Sequence, residues 1–217
     1  MSQRIQLLII RSIVAGLLIS LAGVIYLNCT DKIVGSCLFS IGLIAVILLN
    51  TNLYTGKVGY VDSKSKFFDV LIILGINSLT AFIAGCMYQL NMGPSEIWEA
   101  TKLVKPWHRV FWDGLICGVL IYLAVELYKR SKNLLTVVLP VMGFILGGAE
   151  HSIADCFYIG AGANWSFKTL GYISLIIVGN GLGSFIFHTL CKWEGNNNKV
   201  IILYNIIIFT LLYNMCL

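Results

Sequence analysis

The chain has 217 residues, 58% of them hydrophobic and 12% charged, with a mean hydropathy of +0.86. That balance excludes an ordinary soluble domain and leaves room for a single transmembrane domain over residues 1–217. The formal net charge of +5 comes from short basic loops between apolar stretches, a pattern of membrane topology and not of nucleic-acid binding.

Stretches of about 20 apolar residues span a bilayer, and six occur in chain order: roughly Ile5–Leu27, Ile33–Leu53, Phe67–Tyr88, Val110–Tyr128, Leu134–Phe157 and Leu170–Leu190. A seventh, Val200–Cys216 within 199–217, is slightly short for a perpendicular span. The first apolar run has no small-residue cleavage site and reads as a retained helix, not a signal peptide. Arg4, Lys57, Lys64, Lys66, Lys129, Arg130, Lys132 and Lys192 fall on one side of the membrane. Lys32, Lys102, Lys105, Arg109 and Lys168 fall on the other, among Asp31, Glu96, Glu99 and Asp113. The positive-inside bias assigns the N-terminus to the cytoplasm of a multi-pass protein of the cytoplasmic (inner) membrane. The seven cysteines are irregularly spaced, imply no disulfide framework or metal site, and read as small hydrophobes.

Two segment pairs repeat. Ala15–Ala22 in span one matches Cys117–Ala124 in span four at five of eight positions, and Asn77–Ile83 in span three matches Asn180–Ile186 in span six at four of seven. The two offsets differ by a single residue. Copies three spans apart are inverted in the membrane, so residues of about 5–90 and 108–191 are expected to form inverted repeats. Such folds place their site near mid-membrane, on broken helices. Both middle spans carry an interruption: Asn50-Thr51-Asn52 followed by Leu53-Tyr54-Thr55-Gly56, and Gly147-Gly148-Ala149-Glu150-His151-Ser152. Polar groups and freed backbone at that depth are tolerated only where protein or water satisfies them.

Glu150 and His151 are the most informative pair. A charged residue at the bilayer centre costs roughly 2.5–3.5 kcal/mol on insertion scales, and ionisable groups there mark ion or proton routes. A satisfied structural histidine is the plainer alternative. The reading adopted is a transport site.

Several motifs in register resemble the formate/nitrite transporter family. Gly148-Ala149-Glu150-His151-Ser152-Ile153-Ala154-Asp155-Cys156-Phe157 is similar to its G-x-E-H-S-I-A-N-M-F signature, and Leu53-Tyr54-Thr55-Gly56 to the L-F-T-G loop of its second helix. Gly114-Leu115-Ile116-Cys117 with Leu123-Ala124-Val125 resembles its fourth-helix pattern, Gly179-Asn180-x-x-Gly183 its G-N-x-x-G, and Phe39-Ser40-x-Gly42-Leu43 its F-S-L-G-L.

The resemblance implies an all-α membrane protein with an aquaporin-like, six-helix inverted-repeat bundle, helices two and five broken. The apolar C-terminal segment is extra. It implies a homo-oligomer, a pentamer with one pore per protomer, that passes small monovalent anions of the formate, nitrite or hydrosulfide type. It assigns Phe39, Leu43 and Phe144 to a cytoplasmic constriction and Leu53, Tyr54 and Ile121 to a periplasmic one. His151 lies between them, near Thr55. Glu150, Asp155 and Asn180 are assigned to anchoring the interrupting loops. Three departures leave substrate identity open: Gly118 stands for an Asn and is read as leaving space near the pore, Asp155 replaces an Asn, and Tyr54 replaces a Phe.

Lys102, Lys105 and Lys168 are expected to concentrate anions at the mouth, and half-helix N-termini to turn positive dipole ends toward the pore. A weak-acid anion is expected to gain a proton inside, from His151 or from water, and to cross as a neutral molecule. The alternative is an aquaporin-like channel for a small neutral solute. An enzyme is not expected: there is no HExxH or G-x-S-x-G. No cofactor and no metal are expected.

Overall fold

The computed structural model describes residues 2–163 and 166–194. The seventh apolar stretch, 199–217, lies outside the described residues. Helix α1 runs over Gln3–Leu27 and starts where the Ser2 side chain accepts from the Ile5 amide. Asp31 caps α2, Lys32–Leu48, by accepting from the amides of Ile33 and Val34 at 2.8 and 2.9 Å. Both are ordinary N-caps. The chain then leaves helical geometry from Leu49 to Leu53 and makes one helical turn, α3, Tyr54–Lys57, followed by a 3₁₀ turn, Val58–Tyr60. Helix α4 spans Lys64–Met92 and α5 spans Trp107–Ser131. Helix α6, Leu135–Leu146, stops at a second break before α7, Ser152–Gly162. The last described helix, α8, is Phe167–Glu194.

Helices α1, α4, α5 and α8 are long and apolar enough to cross a membrane. The 12 residues of α6 rise only about 18 Å at 1.5 Å each, against a hydrocarbon core of about 30 Å. The fifth crossing is therefore completed by α7, as the second is completed by the segment after Leu53. The lipid-facing sides carry exposed Leu17, Leu21, Leu79 and Leu90, while the small or polar side chains Ser12, Ser20, Asn77, Asn180 and Ser184 point inward.

Packing follows a two-fold plan. Helix α1 packs on α2 and α4, and α5 packs on α6 and α8. Helix α4 of the first half packs on α7 of the second; α8 of the second half packs on the 3₁₀ turn of the first. Helices α2 and α6 meet at the centre. Close backbone approach uses glycine at the α5–α8 seam, where a Cβ on Gly179 would lie 2.7 Å from the Phe111 carbonyl oxygen.

Candidate functional site

The two breaks share one hydrogen-bond scheme. In the first, the Thr51 amide donates to the Val46 carbonyl at 3.0 Å and the Asn52 amide to the Arg11 carbonyl at 3.1 Å. In the second, the Ala149 amide donates to Phe144 at 2.9 Å and the Glu150 amide to Asp113 at 3.2 Å. Each break contains one left-handed residue, Asn50 at φ 50° and Gly148 at φ 70°, residue types that tolerate that region. An asparagine then bridges each break. The Asn77 side chain accepts from the Tyr54 amide at 2.8 Å and donates to the carbonyls of Ser12 and Asn52 at 2.7 and 3.0 Å. Asn180 accepts from the Ser152 amide at 2.9 Å and donates to Gly114 and Glu150 at 2.7 and 2.8 Å. Each asparagine satisfies two backbone groups that the break had freed and ties them to a carbonyl of an unbroken helix, Ser12 of α1 or Gly114 of α5, as the absence of water in hydrocarbon requires.

The first half leaves Leu53 at the head of α3, and the second leaves His151 at the head of α7. His151 is 2% exposed. Its Nδ1 accepts from the Ala154 amide at 3.1 Å, capping α7. An accepting Nδ1 carries no proton, so the imidazole is neutral and protonated on Nε2. Nε2 lies 2.9 Å from Thr55 Oγ1 and donates to it. The ring stacks on Phe144, with centroids 5.8 Å apart and planes 25° apart. Phe144 meets Phe39 edge-to-face at 5.9 Å.

Two cavities flank this centre. The first, about 440 Å³, is lined by Tyr26, Phe39, Phe144, His151, Asp155 and Tyr158, with Lys32, Lys102 and Lys105 at its rim. The second, about 610 Å³, is lined by Leu43 and Leu53, with Lys57, Lys129 and Lys132 toward the opposite end. Thr55 and Ile121 are buried and line neither.

The segment between α4 and α5 folds over the first cavity. Its π-helical turn, Trp98–Lys102, is held by buried Trp98, whose Nε1 donates to Thr169 Oγ1 at 3.3 Å. The Ser95 amide donates to the Ala161 carbonyl at 2.9 Å, and the Tyr172 hydroxyl donates to the Lys105 carbonyl. This fold-over aims two lysines inward. Lys102 pairs with Glu150 and, at 3.1 Å, with Asp155. Lys105 Nζ lies 2.5 Å from Glu150, 2.7 Å from Asp113 and 2.7 Å from the Gly148 carbonyl. Arg109 pairs with Asp113 at 2.8 Å. Three carboxylates, each 1% exposed at the side chain, thus face three cations.

Several expected placements differ. Phe39 and Phe144 line the cavity at the Lys102–Lys105 end, and Leu53 lines the other, so the two constrictions exchange sides relative to the expectation. Helix α2 enters from the Lys32 end, and Phe39 stands only two turns along it. Leu43 lines the Leu53 cavity, not the Phe39 one. Tyr54 and Ile121 line neither cavity. The Tyr54 hydroxyl turns to α8 and donates to the Ile177 carbonyl at 3.0 Å. Asp155 does not tie the loop; it faces Lys102. Lys168 is exposed, lies over the Tyr172 ring at 5.4 Å and is not in the cavity wall. Lys102 and Lys105 are bound to carboxylates and are not free charges at the mouth. Gly118 leaves no space, because a Cβ there would run into the α8 backbone at Asn180. Of the two segments after the breaks, only α7 is a half-helix; α3 is a single turn. Asp113, Arg109 and Lys32 join the site without having been singled out. Asp113 carried a signal, an acid inside an apolar span with Arg109 four residues before it.

The formate/nitrite transporter family model matches residues 1–194. The chain is 23% identical to a probable formate transporter of Methanothermobacter thermautotrophicus, over 75% of this chain and 74% of that one. It is 27% identical to the formate channel FocA of Escherichia coli K12, over 70% of this chain. The match spans 64% of the Escherichia coli protein, less than two thirds of its length. Among solved structures, a pentameric formate channel with formate bound superposes with a TM-score of 0.70 at 20% identity, over 86% of this chain and 95% of that one. With its two equivalently bridged breaks and a family match along nearly the whole described length, this chain belongs to the formate/nitrite transporter family.

Proposed function

We propose that the chain is a channel for small monovalent anions of weak acids, formate foremost. The observation that carries this is the His151–Thr55 hydrogen bond, which joins the two breaks between a cavity walled by Phe39 and Phe144 and one walled by Leu43 and Leu53. Apolar rings make selective barriers, and a bare charge pays heavily to enter them. A neutral imidazole at the waist offers a guest its Nε2–H in exchange for Thr55. The N-terminus of α7 adds a positive dipole end at the same depth. The curated relatives are named as channels and transporters, which supports a passage and not a catalytic site.

In this reading Phe39, Leu43, Leu53, Phe144, His151 and Thr55 form the pathway, and Tyr54 and Ile121 back it. Glu150 and Asn180 hold the second break. The functional unit is a homo-pentamer with one pore per protomer, in the cytoplasmic membrane, with residues 1–217 as one transmembrane domain and the N-terminus in the cytoplasm. The structural relative is a pentamer with formate bound.

The test is a flux panel in proteoliposomes: formate, nitrite, hydrosulfide, acetate and chloride at about pH 5.5 and about pH 7.5, bracketing an ordinary histidine pKa. Formate and nitrite should pass well above protein-free vesicles, with chloride near background. Passage of glycerol or urea without any formate flux overturns the proposal.

A further inference from the structure

The Lys102–Lys105 cavity holds one buried carboxylate oxygen with no hydrogen-bond partner among the described residues. Asp155 lies one helical turn after His151 on α7, and both line that cavity. Its Oδ1 faces Lys102 at 3.1 Å. Its Oδ2 is buried and has no hydrogen-bond partner among the described residues. A carboxylate oxygen buried without a donor is costly when charged; as a protonated hydroxyl it becomes a donor that a guest can use.

The neighbours of Asp155 reinforce this. Lys102 already serves Glu150, and Lys105 is shared between Glu150 and Asp113. Arg109 is taken by Asp113. The other titratable side chains acting on Asp155 are Cys117 of α5, the adjacent Cys156, and Tyr158 of α7, with Tyr26 of α1 packed beyond Tyr158. None of these is a cation. With all three carboxylates charged they balance Lys102, Lys105 and Arg109, and Lys32 adds a further cation at the cavity wall. Protonating Asp155 makes this wall more positive by one charge, which draws an anion in.

His151 is poorly placed as the proton source. Its Nδ1 is committed to the Ala154 amide, so a second proton on the ring would displace the cap of α7.

We infer that Asp155 is the proton donor that converts an anion in the Lys102–Lys105 cavity to its neutral acid. The Oδ2–H bond breaks and an O–H bond forms on the guest oxygen. Asp155 is left as a carboxylate beside Lys102, and the neutral acid moves on toward His151. A hydronium ion entering the cavity from the bulk solution gives its proton to Asp155 and leaves as water, so one proton crosses with each anion. This rests on the anion-channel reading and names the residue that serves it.

The test uses the full chain in proteoliposomes, following formate uptake, internal acidification and charge movement together. The wild type should take up formate with an equal number of protons and little dependence on membrane potential. Asp155→Asn should lower uptake at neutral pH by about tenfold or more, as for loss of a positioned proton donor, and make the remainder voltage-dependent. Asp155→Glu should restore part of the proton-coupled flux. Wild-type rates with unchanged charge per formate in Asp155→Asn overturn the inference. Infrared difference spectra with isotope-labelled formate decide the point even where Asp155→Asn fails to assemble. A protonated-carboxyl band that disappears on adding formate supports the inference, and absence of any such band in the wild type overturns it. Absence of formate flux in the wild type would instead overturn the anion-channel reading, which the infrared band in the protein alone does not address.

Discussion

Leu53 and His151 hold equivalent stations: each is the residue just before the helical turn that resumes after a break. The amide that follows each one donates to an asparagine, Asn77 for Tyr54 and Asn180 for Ser152. The scaffold is two-fold at the level of individual backbone hydrogen bonds, and the chemistry is not. One half supplies an aliphatic side chain and the other an imidazole.

The two asparagines are accordingly expected to be structural equals. Asn77→Ala and Asn180→Ala each strand two backbone groups of a break in an apolar setting and cut its tie to α1 or α5. At about 1 kcal/mol per lost hydrogen bond, and more for a buried orphan, each should destabilise the protein by about 2–4 kcal/mol. Thermal unfolding of the purified protein in detergent measures this. If either variant melts with the wild type, the bridging role at that break fails.

Replacing His151 separates its two tasks. His151→Asn keeps an N-cap acceptor for α7, since asparagine caps well, while altering the donor that faces Thr55. His151→Leu removes both, and the lost cap alone should cost about 1 kcal/mol. We expect His151→Asn to fold with near-wild-type stability but to change formate current, and His151→Leu to lose stability as well. Unchanged current and acid flux in His151→Asn across about pH 5–8 would remove the imidazole from the conduction mechanism.

Lys105→Met should be more damaging than its rim position suggests. It leaves Glu150 and Asp113 short of a cation in a buried setting and abandons the Gly148 carbonyl. Breaking a buried pair on one side typically costs about 3–5 kcal/mol. The expected outcome is a marked fall in melting temperature, together with loss of formate flux as the second break loosens. Lys168→Met, outside the cavity wall, is the control and should leave both unchanged.

Much of this architecture was legible in the linear chain. The breaks stood out because polar and glycine residues interrupt apolar spans. The equivalence of the two bridging asparagines stood out because Asn77 and Asn180 recur in matching apolar contexts. What stayed hidden depends on long-range placement. Lys102 and Lys105 look like free loop cations in sequence, and become partners of Glu150, Asp113 and Asp155 only because Trp98 and Tyr172 pin the intervening segment over the cavity. The Tyr54 hydroxyl and the crowding at Gly118 depend on how closely α8 approaches. The side of the Phe39 constriction was readable in principle from its distance along α2, yet the motif match alone did not convey it.

The cap that His151 provides to α7 has a consequence for chemical probing. A reagent that acylates the imidazole, or a soft metal ion that binds it, must take a nitrogen lone pair, and the only one available already serves the Ala154 amide. Such an attack would not merely obstruct the passage: it would unseat the first turn of the half-helix behind it, so inactivation and local unwinding should arrive together.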